Sequence, residues 1–115
     1  INNYPLPIGI SGSDYLATFE KMLEGVKQFS PDYLIIDAGF DGHMDEYQDL
    51  PPLTMLQNDD YKRMGQMLKK IGVPTLVLLA GGYNQDVTPK AFSSFIDGLS
   101  DDAEQAEIIT SDKLI

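Results

Sequence analysis

The sequence predicts an α/β fold whose strands run parallel. Two short apolar runs, Tyr33 to Asp37 and Thr75 to Leu79, read as strands, and neither shows a clean two-residue alternation. That pattern suits strands covered on both faces. Between them, Asp59 to Lys70 carries its apolar residues at helical spacing. Strand, helix, strand is a βαβ unit, which makes its two strands parallel. Each strand runs into a glycine-bearing turn: Ala38-Gly39-Phe40-Asp41-Gly42-His43 after the first, Ala80-Gly81-Gly82-Tyr83-Asn84 after the second.

Length and composition narrow the functions open to the chain. At 115 residues it makes one small domain at most. A net charge of -10 argues against a direct nucleic-acid role, because phosphate binding needs clustered Lys and Arg. There is no cysteine, so disulfides and thiolate metal sites are excluded. No apolar run reaches the ~20 residues that span a bilayer, and no signal pattern opens the chain. The expected location is cytoplasmic. The chain enters at Ile1 and runs directly into Asn2-Asn3-Tyr4-Pro5-Leu6-Pro7, from which we expect a segment of a longer polypeptide.

The elements follow in order. Ile1 to Leu6 is a weak strand candidate, since its two asparagines and its proline oppose it. Gly9 to Ser13 is a loop, and Ser11 followed by Asp14 three residues later resembles a capping box; Ser13 is the alternative N-cap. A helix is expected from about Asp14 to Phe29, with Leu16, Phe19, Leu23 and Val26 on one face and Tyr15, Met22 and Phe29 widening it. Ser30-Pro31 ends it, since the residue before proline resists the α conformation. The second helix starts near Asn58 as N-cap, with Asp59 and Asp60 where the macrodipole favours acids. Tyr61, Met64, Met67 and Leu68 form its apolar face, and Gly72 suits the left-handed position that closes it. Thr88-Pro89 reads as an N-cap followed by proline at the first helical position, with Phe92, Phe95, Ile96 and Leu99 on one face. The core is expected over about 1–100, followed by an acidic tail from 101 to 115 in which Ile108 and Ile109 suggest an edge strand. Residues 39–57 carry no secondary-structure signal, and a loop of that length in a compact domain is usually functional.

Ligands of open α/β sheets bind beyond the carboxyl ends of the strands. Asp41 and Tyr83 leave the sheet at that end. Neighbouring strands lie about 4.8 Å apart, so a carboxylate and a phenol would face one cleft. Asp41 is either a turn aspartate or a metal ligand or general base. Tyr83 is either packed on the next helix or donates a hydrogen bond to a polarised carbonyl. His43, the one histidine, is read as a loop residue that shapes the cleft or touches solvent. Asp37 is read as a strand-end residue bonded to backbone. Asp45, Glu46 and Asp49 form an acidic loop whose spacing does not match an EF-hand. Ser93-Ser94 lack a nearby histidine, and there is no P-loop or G-x-G-x-x-G.

Tyr4-Pro5-Leu6-Pro7-Ile8-Gly9, Pro31-Asp32-Tyr33, Ala38-Gly39-Phe40-Asp41-Gly42-His43, Leu53-Thr54, Tyr61 and Gly81-Gly82-Tyr83-Asn84 occur in the order of a known family. Together they resemble the C-terminal part of the zinc-dependent histone deacetylase and acetylpolyamine amidohydrolase superfamily, closest to its class II and bacterial members. The resemblance implies a three-layer arginase/deacetylase-like α/β fold with a parallel sheet between helical layers, present here only as its C-terminal part. It implies a zinc cofactor and hydrolysis of an acetylated amine. Asp41 matches the family's zinc-binding aspartate and Tyr83 the tyrosine that polarises the acetyl carbonyl. Gly81 and Gly82 match the glycines of the acyl channel, and Phe40 is placed with them as a substrate-binding residue. The family's other zinc ligands, in a D-x-H motif, and its tandem histidines lie upstream of the matching segment. Asp45-Glu46-Tyr47-Gln48 stands where the family usually has D-P-L, and Ala80 where it commonly has an acid.

These readings make the missing N-terminal part of its own domain the chain's first expected partner. An exposed strand edge and bare apolar faces would also favour homo-oligomers. The chain alone is expected to be inactive. The alternatives are a noncatalytic binding or pseudoenzyme module and an unrelated nucleotide-binding α/β domain.

Overall fold

The computed structural model describes residues 1–100. Among them the order is β1 (Ile10–Ser11), α1 (Gly12–Phe29), β2 (Leu34–Ala38), β3 (Thr54–Met55), α2 (Asn58–Lys69), β4 (Thr75–Leu79) and α3 (Thr88–Leu99). The acidic tail and the strand expected at Ile108 and Ile109 lie outside the described residues. Ile1 to Leu6 forms no strand.

β2 and β4 pair in parallel in the register Leu34↔Thr75 through Ala38↔Leu79, with α2 in the crossover between them. A second parallel pair joins β1 to β3, Ile10 opposite Thr54 and Ser11 opposite Met55. The expectation of an unstructured stretch from 39 to 57 is thereby corrected. β3 lies within it, and a parallel bridge ties His43 to Leu56. Strands this short follow from their partners rather than from their own residues.

The caps show where local chemistry decides. Ser11 is the N-cap of α1, its Oγ accepting the Asp14 N–H at 3.2 Å. The helix ends at Ser30, in the left-handed region with φ 52°, where its N–H reaches the carbonyls of Val26 and Lys27. α2 starts one residue early: Gln57 is its N-cap, and the Asp60 carboxylate accepts the Gln57 N–H at 2.9 Å. Gly72 has φ +76° and follows that helix in the expected left-handed conformation. α3 also differs from expectation, because Val87 and not Thr88 occupies the N-cap position. The N–H groups of Val87 and Thr88 both donate to the Asn84 carbonyl, at 3.1 and 2.9 Å, so the chain turns before Thr88. Thr88 Oγ1 is buried against Gly82 without a partner and makes no cap.

One apolar cluster joins the helices to one face of the β2–β4 sheet. It contains Leu16 and Leu23 of α1, Ala38 of β2, Tyr61, Met64 and Leu68 of α2, and Ala91 and Phe95 of α3, with Phe40 and Leu56 fully enclosed. Leu34, Ile36 and Val77 pack on it from the sheet. The opposite face is bare: Ile35 is 70% exposed, Leu76 53% and Leu78 48%. The expectation that both strands are covered on both faces is therefore corrected for the described residues. Phe29, expected in the α1 stripe, also points outward.

Candidate active site

The two glycine turns leave the sheet side by side. Beyond the strands the pairing continues: the Ala80 N–H donates to the Ala38 carbonyl at 2.9 Å and the Phe40 N–H to the Gly81 carbonyl at 2.8 Å. Asp41 then folds its carboxylate over this junction. A Cβ on Gly39 would stand 2.9 Å from Asp41 Oδ1, and one on Gly81 would overlap the same carboxyl group. Glycine at position 81 is thus required by close approach. The Asp41 side chain itself is exposed to solvent.

The second turn is held by the long loop after Asp41. Glu46 is buried, 5% exposed, and its Oε1 accepts the Tyr83 N–H at 2.5 Å while Oε2 faces the Asn84 N–H at 3.4 Å. Asn84 answers in reverse: its Nδ2 donates to the Asp45 carbonyl at 3.0 Å and to the Glu46 carbonyl at 3.4 Å. Each segment therefore satisfies the other's backbone. The Tyr83 ring stays outside, 74% exposed. Gly82 has φ +128°, which a side chain would strain, and a Cβ there would also meet Thr88.

His43 anchors the floor beneath. It is buried, its Nδ1 accepts the Asp45 N–H at 3.0 Å, and its Nε2 lies 3.0 Å from Asn58 Oδ1. An accepting Nδ1 leaves Nε2 as the protonated nitrogen, donating to Asn58. The imidazole is stacked parallel to the Tyr61 ring, 6.4 Å away. The loop is also tied by Thr54, whose hydroxyl donates to the Gly42 carbonyl. His43 thus shapes the cleft from inside and does not touch solvent. Burial raises the pKa of the Tyr15 hydroxyl, and the Asp41 charge adds to it. Burial likewise raises that of Tyr61, with smaller contributions from Tyr15, Asp41, Glu46 and Asp60. Both phenols are held neutral.

The structure thus brings Asp41 against Gly81, with Gly82 and Tyr83 following in the same turn. Phe40 lies deeper than the other site residues. It is 1% exposed, with its ring among Tyr61, Phe92 and Phe95 at centroid distances of 4.9, 5.8 and 5.9 Å. A side chain so enclosed supports the floor, where it lines a small cavity with Gly39 and Tyr61. Glu46, read from the sequence only as part of an acidic loop, is buried and bonded to the second turn. The only trace of its role in the sequence is Asn84, an amide placed directly after Gly-Gly-Tyr.

A catalytic zinc takes three protein ligands. Among the described residues no three His, Cys, Asp or Glu side chains gather as a metal-binding group, those of the acidic loop included. Asp41 is a single open carboxylate, so the donors of this segment do not fit a complete zinc shell.

The arrangement defines the class: an α/β segment whose polar groups converge beyond the carboxyl ends of parallel strands. The histone deacetylase domain matches residues 1–99, and the chain belongs to that family. It is 28% identical over 96 residues to an acetylpolyamine amidohydrolase of Burkholderia pseudomallei, covering 84% of this chain and 27% of that protein. A crystal structure of the acetylpolyamine aminohydrolase from that organism superposes with a TM-score of 0.76 at 27% identity, over 84% of this chain and 27% of the other. The crystal structure of the HDA15 HD domain gives 0.68 at 34% identity, over 79% and 26%. The α/β fold expected for the superfamily is the fold observed. The chain spans about a quarter of the length of these relatives. Membership of a deacetylase family also sets aside the unrelated nucleotide-binding domain.

Proposed function

We propose that this chain supplies one share of the active site of a zinc-dependent amidohydrolase that removes acetyl groups from acetyl-lysine or acetylated polyamines. The observation that carries the reading is the Asp41 carboxylate resting on Gly81 in the turn that presents Tyr83. Asp41 contributes one metal-binding carboxylate. The remaining ligands come from outside this chain, which holds one histidine and no cysteine. A zinc held in part by Asp41 in the whole enzyme would supply Lewis-acid polarisation of the amide carbonyl and of a water. Gly81 and Gly82 leave room for an acyl chain to lie against the backbone. Tyr83, exposed and carried on that turn, donates its phenolic hydrogen to the acetyl oxygen. The phenols of Tyr15 and Tyr61 below remain neutral. On this reading the bare face of β2–β4 is the seam for the rest of the domain, and the 115-residue chain alone is inactive.

The test compares the full-length polypeptide with Asp41→Asn and Tyr83→Phe variants, measuring zinc content and deacetylation of an acetyl-lysine peptide and an acetylated polyamine. The expected result is one tightly bound zinc, lost in Asp41→Asn, and activity lowered by about 10²–10³ in Tyr83→Phe. A second reading, a binding module without catalysis, is favoured by the incomplete donor set. Full-length protein with neither zinc nor activity would support it. Robust deacetylation by the isolated segment would overturn the shared-site reading.

A further inference from the structure

The geometry points to Glu46 as a positioning residue for Tyr83, a role that rests on reading Tyr83 as the phenol facing the substrate carbonyl. Tyr83 follows two glycines, the most permissive backbone a chain can carry, and such a turn does not by itself aim an exposed side chain. The aim is imposed from a residue 37 positions earlier in sequence. Burying a carboxylate is costly unless its oxygens are bonded. Here one oxygen takes the Tyr83 N–H at 2.5 Å and the other faces the Asn84 N–H at 3.4 Å. Hydrogen bonds to an ionised acceptor are about twice as strong as neutral ones.

The Asn84 amide closes the circuit on the carbonyls of Asp45 and Glu46, so neither segment can shift without breaking the other's bonds. Glu46 lies on the same loop as Asp41, five residues on. The clamp therefore fixes the phenol-bearing turn to the segment that carries the proposed metal-binding carboxylate. Glu46 touches no substrate in this scheme. It sets where the Tyr83 backbone, and with it the hydroxyl, stands relative to Asp41. Displacing a catalytic group by about 1 Å can cost on the order of 10² in rate.

The experiment is a cycle in the full-length polypeptide with Glu46→Gln, Tyr83→Phe and the double variant, assayed for deacetylation of an acetyl-lysine peptide and an acetylated polyamine. Gln keeps the volume but puts an amide donor against an N–H. The expected result is a kcat lowered about 10- to 100-fold with KM within about twofold. Glu46→Gln should cost nothing further once Tyr83 is Phe, which a general loss of structure would not produce. Asn84→Ala removes the other half of the clamp and should show the same dependence on Tyr83. It decides the matter if circular dichroism shows Glu46→Gln unfolded. Equal losses in both Tyr83 backgrounds, or no loss in either, overturn the positioning role while leaving Tyr83 intact. A Tyr83→Phe variant with undiminished kcat overturns the reading of Tyr83 itself.

Discussion

Gly65 of α2 and Gly98 of α3 meet backbone to backbone where the two helices pack. A Cβ on Gly65 would lie 2.8 Å from the Leu99 nitrogen and 3.0 Å from the Gly98 carbonyl carbon. A Cβ on Gly98 would lie 2.9 Å from the Lys62 carbonyl carbon and overlap its oxygen. Alanine would gain about 1 kcal/mol of helix propensity at either site. It would also force two main chains apart, which no side-chain rotation relieves. Overpacking costs about 1–3 kcal/mol, so Gly98→Ala is expected to be net destabilising. Urea unfolding checks it, with an unchanged or raised midpoint as the contrary result.

Two adjacent residues should separate stability from chemistry. Phe40 is enclosed at the centre of the aromatic cluster, and Phe40→Ala should cost about 3–5 kcal/mol. Asp41 is exposed, and Asp41→Asn should change the stability of the isolated 115-residue chain by less than about 0.5 kcal/mol, while removing zinc from the full-length polypeptide. Thermal unfolding and metal analysis of the two variants give the contrast.

Tyr61 makes a pH prediction. Its hydroxyl is buried without a hydrogen-bond partner, and its folded pKa is raised above the ordinary 10.0, chiefly by burial. A raised folded pKa means that the neutral phenol is the form favoured by folding. That contribution is complete below about pH 10 and is lost as the pH rises from there toward the folded value. Tyr61→Phe should be neutral or slightly stabilising at pH 7 and should lose less stability between pH 9 and about 11. Denaturant midpoints across that range measure it.

The bare sheet face predicts association. Ile35, Leu76 and Leu78 expose apolar surface on a sheet of two strands. The isolated 115-residue chain should form oligomers in light scattering at high concentration. Replacing Ile35 with Lys and its register partner Leu76 with Glu should shift it toward monomer without lowering its thermal midpoint. A wild-type chain that stays monomeric would show that this face is not adhesive.

The sequence signals differed in reach. β4 runs over Thr75–Leu79 as the apolar stretch after Pro74 indicates, and β2 is displaced by one residue from Tyr33–Asp37. Periodicity also located all three helices, because an apolar stripe is a local property. It did not show that Ile35 and Leu76 lack a cover, since exposure depends on what else packs there. β1 and β3 were not legible, because two-residue strands exist only through their pairing. At the site, the exit of the Asp41 and Tyr83 turns at the same end of the sheet followed from strand ends and turn residues. Glu46 did not, because its burial is set by a segment 37 residues away. Thr88 misled for a related reason: a good capping residue was taken into the packing under Gly82.

The loop after Asp41 is pinned at its start by His43 and Glu46 and at its end by β3. Tyr47, Leu50 and Leu53 between those fastenings are exposed. Length and composition can therefore vary across 47–52 while the pinned ends keep their places. A protein built this way can acquire a new rim, longer or shorter, without redesigning the chemistry beneath it.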